Sequence, residues 1–280
     1  MKTSDCHGDS NSKVIGIIGG SGPEAGADLF GKVLALHRKK LGKAYKSDRD
    51  APDIVLMSVS NLGGPRTAID IEPGNLKGTY EQCLAALDDT IRKIVPLVDY
   101  FCVACNTLHM FESQIREALL DLGRNPSMFV SMISSTIDTC QGQLDGNESV
   151  KFSIFGGPVT MDLDGNSSYR RLVEEVGIEH FYRPPPSCTS ILQRIIWKIK
   201  QDGKVTTRDK VFAEYEGLLR DMASHSVKIC VLACTELSLI DIVDITDLSI
   251  KFIDPTEVVA NALLNLTQSY PEENNRYLAL

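Results

Sequence analysis

Two stretches of this sequence end alike. Residues 98–111 read "VDYFCVACNTLHMF" and residues 227–240 read "VKICVLACTELSLI". Each begins as an apolar run suited to a buried strand. Each closes on Ala-Cys, with Thr following at once or one residue later. The cysteines, Cys105 and Cys234, are the residues through which the chain could do chemistry. A thiol poised near neutral pH is a good proton shuttle. A cysteine just before a helix has its thiolate favoured by the helix dipole and free backbone N–H groups, which lowers its pKa from about 8.5. One base and one acid on opposite faces of a tetrahedral carbon is what stereoinversion needs.

Other readings of the cysteines compete. Both could be buried structural residues at strand ends, because Cys packs as a small hydrophobe. Cys102, Cys105, Cys230 and Cys234 could together hold zinc, since their spacings are C-x-x-C and C-x-x-x-C. Zinc knuckles usually need turn residues between the paired ligands, whereas "CVAC" and "CVLAC" are strand-like and apolar. A redox disulfide between Cys102 and Cys105 is disfavoured, because a strand points these side chains apart. No metal is expected.

Further candidates surround the pair. The loop "GGSGPEAG" (19–26) contains Gly20-x-Gly22-x-x-Ala25, a loose dinucleotide fingerprint. That fingerprint also wants an acid after the second strand. Here Asp53 precedes the strand, and Ser58, Ser60 and Asn61 follow. Backbone N–H groups around Gly20 and Ser21 could instead hold a small carboxylate, and Thr160 occupies the related turn of the second half. Arg66, in "NLGGPRTAID", is either a surface residue or a two-point clamp on a substrate carboxylate. Asn106, Thr107, Thr235 and Glu236 flank the cysteines as helix caps or as groups that orient an amino acid. For His109, one turn beyond Cys105, a structural hydrogen bond is favoured over proton transfer.

The elements that would position these residues alternate between strand and helix. Besides the two cysteine runs, strands are predicted at Val14–Ile18, at the start of "VKFSIFGGPVTMDLDG" (150–165), and at Ile54–Val59, Met128–Met132 and Lys251–Ile253. Helices are predicted from Pro23, and at about Thr79–Ile94, Phe111–Leu122, Tyr169–Glu175, Ser190–Lys200, Thr207–Ser224 and Thr256–Leu266. Alternation of this kind implies an α/β fold with parallel sheets covered by helices, and ligands at the carboxyl ends of the strands. Cys105 lies 86 residues after Gly19, and Cys234 lies 78 after Gly156. Each half therefore opens on a strand–Gly-Gly turn and carries a strand–Ala-Cys turn at similar distance. This reads as a duplicated unit, with residues 14–133 and 134–254 as the two domains and one thiol on each wall of the cleft between them. Linkers are placed at 123–127 and 141–149. The start, "MKTSDCHGDSNSK", reads as a disordered tail of residues 1–13.

Composition narrows the function. The chain has 280 residues, 43% hydrophobic and 24% charged, which is ordinary for a globular protein. A formal charge of −8 argues against nucleic acid and anionic membranes as partners. No apolar run approaches a membrane span. Eight cysteines without an export signal read as reduced thiols in a cytoplasmic protein.

These motifs carry a resemblance. "IGIIGGSGPEA", "NLGGPRTA", "ACNTLH", "ACTEL" and "FIDPTEVVANA" resemble the cofactor-independent aspartate/glutamate racemase family, its aspartate racemase branch in particular. The matches keep their order from about residue 14 to 266. The resemblance implies two flavodoxin-like domains related by pseudo-twofold symmetry, no pyridoxal phosphate, homodimers, and a last helix (255–270) returning to the first domain. It implies Cys105 and Cys234 as the two acid–base catalysts and Arg66, Asn106, Thr107 and Thr235 as substrate-binding residues. The expected activity is interconversion of the L- and D-forms of an acidic amino acid, aspartate first. The alternatives are a related enzyme acting on glutamate, a hydantoin or a malonate, a nonenzymatic small-ligand-binding protein, and a nucleotide-dependent oxidoreductase. Two positions depart from the family. Ser21 stands where Met is frequent. The stretch expected to hold a lysine for the substrate's side-chain carboxylate reads "RPPPSCTS", with Cys188 or Thr189 at that place and Arg183 as the candidate substitute.

Overall fold

The computed structural model describes residues 13–63, 76–144, 150–165, 167–240 and 248–270. The predicted tail lies outside the described residues. In chain order the regular elements are β1 (Ile15–Gly19), α1 (Pro23–Leu41), β2 (Ile54–Ser58), α2 (Leu76–Ile94), β3 (Tyr100–Val103), α3 (Glu112–Asp121) and α4 (Met132–Gln141). They continue with β4 (Phe152–Gly156), α5 (Pro158–Met161), α6 (Arg170–Val176), α7 (Pro186–Asp202), α8 (Lys204–Ser224), β5 (Ile229–Ala233), β6 (Lys251–Ile253) and α9 (Pro255–Thr267).

The strands form two parallel three-stranded sheets, in the orders β2-β1-β3 and β4-β5-β6. Strands β1, β4 and β5 are buried along their whole length. Their unbroken apolar runs are what a parallel sheet covered on both faces requires. Local signals set the helix ends. Helix α1 starts at Pro23, whose missing N–H is no loss in a first turn, and places Arg38, Lys39 and Lys40 in its last turn beside the negative dipole end. Gly203, at φ +77°, ends α7 and lets α8 begin in a new direction.

Two isolated bridges complete the likeness between the sheets. Phe129 pairs in parallel with Phe101 beyond β3, where β6 stands beyond β5. Phe181 pairs with Phe152 beside β4, where β2 stands beside β1. The predicted strand Met128–Met132 is thus reduced to one bridge, with Val130 N–H donating to the Phe101 carbonyl at 2.8 Å. The reason is local. Pro126 opens a short 3₁₀ turn before it, and Ser131 caps α4 directly after it, its Oγ accepting from Ser134 N–H at 3.2 Å. Helix α4 itself was not predicted.

Helix α9 closes the first sheet rather than the second. Val259, Ala260, Leu263 and Leu264 pack with Ile15, Ile17, Leu29, Val33 and Cys102. Each fully buried Val, Leu or Ile among them contributes roughly 1.5–3 kcal/mol. The start of α9 is pinned by Asp254, which accepts from Thr256 N–H at 2.9 Å and Ser238 Oγ at 2.8 Å and pairs with Lys32 of α1. Burial works against the Asp254 charge, yet Lys32 and these donors hold its carboxyl below the usual range. No helix among the described residues is long and apolar enough to cross a membrane.

The loop after β1 needs its glycines. Gly20 has φ +116°, and a Cβ there would sit 2.1 Å from the Val59 carbonyl oxygen. Both the backbone region and the space exclude a side chain. Gly20→Ala is expected to cost at least about 2 kcal/mol, read as a lower denaturation midpoint. A midpoint within error of the parent would remove this constraint.

Candidate active site

The carboxyl ends of the two sheets share a cavity of about 350 Å³. The first half contributes Gly20, Ser21, Gly22, Cys105, Asn106 and Thr107. The second contributes Thr160, Lys200, Cys234, Thr235 and Glu236, with Gln193, Ile196 and Trp197 of α7 along one side. The volume suits a small metabolite with some water. Cys105 follows β3 where Ala104 N–H still donates to the Ile18 carbonyl at 2.8 Å, so its thiol emerges beside the glycine loop. That thiol donates to Ser21 Oγ at 3.5 Å. Cys234 follows directly on Ala233, which pairs with Gly156 at the end of β4.

The environment of Cys234 corrects one expectation. The element after Cys234 is a short 3₁₀ turn, Leu237–Leu239, whereas the turn after Cys105, Thr107–Phe111, runs on into α3. The Cys234 thiol donates to Glu236 Oε2 at 3.0 Å. Burial, the Glu236 charge and this hydrogen bond raise its pKa well above the ordinary thiol value, although Lys200 pulls the other way. Cys234 is therefore a thiol at neutral pH, a proton donor until something takes its proton. Thr235 Oγ1 donates to the same Glu236 oxygen at 3.3 Å, and Lys200 Nζ stands 2.9 Å from Glu236 Oε1. Burial disfavours the Lys200 ammonium, but the Glu236 charge, joined by the two cysteines when they are ionised, more than offsets this and raises its pKa.

Asn106 bridges the halves. Its Oδ1 accepts from Tyr169 Oη at 2.7 Å, while its buried Nδ2 has no partner. The side chain caps nothing, so the helix-cap reading fails for it and a donor is left at the cavity wall. His109 lies outside the cavity lining. Its Nε2 accepts from Met132 N–H at 3.0 Å, which leaves Nδ1 to donate to the Cys105 carbonyl at 2.8 Å. Burial lowers its pKa, so a neutral imidazole ties the Cys105 backbone to the start of α4, as the structural reading expected.

Other sequence candidates fall elsewhere. Arg66 lies outside the described residues, three positions beyond Gly63, which lines the cavity. Arg183 is on the surface in a two-point pair with Asp164, so it is no substitute for a lysine in the cavity. Cys188 packs in the core with Leu192 and Ile195, and Thr189 is not among the lining residues. Cys102 and Cys105 belong to apolar clusters on opposite faces of their sheet, which rules out a shared metal or a disulfide between them. Burial pushes the Cys102 thiol up to about 12. Among the described residues no three His, Cys, Asp or Glu side chains gather as metal ligands. The fingerprint glycines stand where the turn needs them, Gly20 at φ +116° and Gly22 at φ +111°, and next to them Gly19 and Gly26 lie so close that a Cβ on either would be 3.2 Å from the other's Cα.

Among the titratable residues lining the cavity, sequence reasoning missed two. Cys83 of α2 is pushed up to about 11 by burial and by the neighbouring Cys105, and stays a thiol. Lys200 ends a face of α7 whose lining residues are Gln193, Ile196, Trp197 and Lys200. That i, i+3, i+4, i+7 spacing marks one helix face, and a lysine closing it was the available signal.

Comparison with known proteins agrees with this geometry. The chain resembles an aspartate racemase of Picrophilus torridus at 21% identity, with a TM-score of 0.67, over 95% of this chain and 99% of that one. It resembles an aspartate racemase homologue of Pyrococcus horikoshii at 21% identity, with a TM-score of 0.62, over 91% and 99%. It is similar in fold to a glutamate racemase of Francisella tularensis solved with D-glutamate, at 15% identity and a TM-score of 0.54, over 91% and 81%. The sequence model of Asp/Glu/hydantoin racemases matches residues 18–263, from the end of β1 into α9, and takes in both cysteines. The chain belongs to the Asp/Glu/hydantoin racemase family and is a racemase of its pyridoxal-phosphate-independent kind.

Proposed function

We propose that the protein interconverts the L- and D-forms of an acidic amino acid, aspartate first, with Cys105 and Cys234 as the opposed acid–base pair. The observation that carries the reading is one cavity lined by both thiols, each supplied by a different sheet. One thiolate removes the α-proton from one face of the substrate, and the other thiol returns a proton to the far face. The roles reverse for the opposite enantiomer. Thr107, Thr160 and Thr235 offer hydroxyls, Asn106 an unpartnered amide N–H, and the Gly20–Ser21 loop a polar wall for the amino and carboxylate groups. Arg66 is the proposed clamp on the α-carboxylate. The two units, 14–133 with the last helix and 134–254, act as the two walls, and the family resemblance favours a homodimer in a reducing, cytoplasmic setting. The seven described cysteines are all free, as thiol chemistry needs.

The deciding experiment is a chiral assay of the purified protein against a panel of L- and D-amino acids. Aspartate, and then glutamate, should racemise without added cofactor and with activity that survives hydroxylamine and a chelator. Activity that depends on pyridoxal phosphate or a metal, or no activity on either acid, would sink the reading.

A further inference from the structure

Asn106 directly follows Cys105, and its side-chain amide has two unlike ends. Which end faces the cavity decides what the residue can bind. The N–H end can meet a carboxylate oxygen, whereas the C=O end would repel one. The two ends are close to the same size, so the choice has to come from a neighbouring group. Asn106 is 2% exposed. Its Oδ1 accepts from Tyr169 Oη at 2.7 Å, while Nδ2 is buried without a partner among the described residues.

Tyr169 belongs to the opposite half and is itself held in place. It is 0% exposed and shares a core cluster with Phe152, Ile154 and Leu172. Its N–H donates to Ser167 Oγ at 3.1 Å, and that hydroxyl donates to the Thr160 carbonyl at 2.5 Å. Thr160 and Asn106 both line the cavity, whereas Ser167 and Tyr169 do not. A hydrogen-bonded chain, Thr160–Ser167–Tyr169–Asn106, therefore links the two walls from outside the lining. Burial above all pushes the Tyr169 phenol well above its ordinary pKa, so it keeps its proton and stays a donor. The other wall needs no such device. Thr235 follows Cys234 where Asn106 follows Cys105, and a hydroxyl can turn its proton to either side.

We infer that Tyr169 is a positioning residue: its O–H holds the Asn106 carbonyl oxygen away from the cavity and so presents the Asn106 N–H to a carboxylate of the bound substrate. The inference rests on the acidic-amino-acid reading above only in needing a carboxylate in the cavity. Tyr169 itself touches no substrate and acts through Asn106. The donor is in place before the substrate arrives, so no reorganisation is needed when charge enters the site. Because phenol and amide come from different halves, the donor is set only while the halves are docked.

The test is a double-mutant cycle of Tyr169→Phe and Asn106→Ala in the full chain. Tyr169→Phe keeps the ring that fills the core and removes only the hydroxyl. Aspartate racemisation supplies kcat/KM. Succinate, which has two carboxylates and no amino group, supplies a Kd through the fluorescence of Trp197, the chain's one tryptophan and a lining residue. Tyr169→Phe is expected to weaken both by about tenfold, the upper range for one hydrogen bond. In the Asn106→Ala background the same change should cost less than about twofold, because the group it positions is gone. Asn106→Ser takes the place of Asn106→Ala if the alanine variant fails to fold. A tyrosine that only supports the fold would cost the same in both backgrounds, in step with a lower denaturation midpoint. Equal losses in the two backgrounds, parental values in Tyr169→Phe, or a parent that neither racemises aspartate nor binds succinate would overturn the inference. Racemisation with an additive cycle would leave the racemase reading standing and remove Tyr169 from the site. A coupled cycle in succinate Kd without racemisation would do the reverse.

Discussion

Cys105→Ser and Cys234→Ser are each expected to lower racemisation by a factor on the order of 10³ or more, the range for loss of a positioned acid or base. The two variants should nevertheless remain different enzymes. Each keeps one thiol, and that thiol can still remove the α-hydrogen from the face it commands. In deuterated water each variant should wash deuterium into one enantiomer without inverting it, and the favoured enantiomer should swap between them. The wild type should show a bell-shaped pH dependence, because each direction needs one thiol and one thiolate, and the pair titrates as a unit. Where Cys234 serves as the acid, the alkaline limb should lie above the ordinary thiol range, since burial and Glu236 oppose its ionisation. Chiral chromatography together with proton NMR reads both quantities. Near-parental racemisation in either single variant would return that cysteine to a structural role.

The second large effect is expected at Arg66. A guanidinium that grips a carboxylate at two points cannot be replaced by a point charge. Arg66→Ala and Arg66→Lys should therefore both lose about 2–4 kcal/mol of transition-state stabilisation, the usual cost of leaving a charged partner unpaired. In kcat/KM that is a loss of about 30-fold to 1000-fold. Recovery of most of the activity in Arg66→Lys would show that charge suffices and the fork does not matter. Parental kinetics in Arg66→Ala would make it a surface residue.

Much of the architecture was legible because the periodic signals were strong. The apolar runs ending at Gly19, Val103, Gly156 and Ala233 are buried strands with few other options, and all four occur where expected. The Met128–Met132 run misled because it is only as apolar as a strand. Its neighbours Pro126 and Ser131, which fix a turn and a helix start, decide its fate. Helix α4 is held by tertiary contacts more than by pattern, its Ile133 and Ile137 packing against the second sheet's core while Met132 joins the first. At the site, residues adjacent to the cysteines were readable because strand ends carry them into the cleft together. Lys200 was not, because it reaches the site from the far end of a helix, and nothing adjacent in sequence advertises where that end arrives. The direction of the Cys234 pKa was misjudged for a related reason: the turn after it has one visible property, a possible dipole, whereas burial, and after it the carboxylate two residues on, decides once folded.

The return of α9 to the first sheet bears on how the protein is made. Val259, Leu263 and Leu264 cover Ile15, Ile17 and Leu29, so part of one side of the first sheet, which α1 covers only in part, stays uncovered until α9 has been synthesised. From Phe129, the last residue bridged to that sheet, to Leu264 is 135 residues. At ribosomal rates of about 5–20 residues per second, that wait lasts on the order of ten seconds. Through that interval the nascent chain carries an uncovered apolar surface, while the intervening half, whose strands are consecutive, can fold without waiting. The half translated first is therefore the half finished last, and it is the one for which a holding chaperone has the longest opportunity to act.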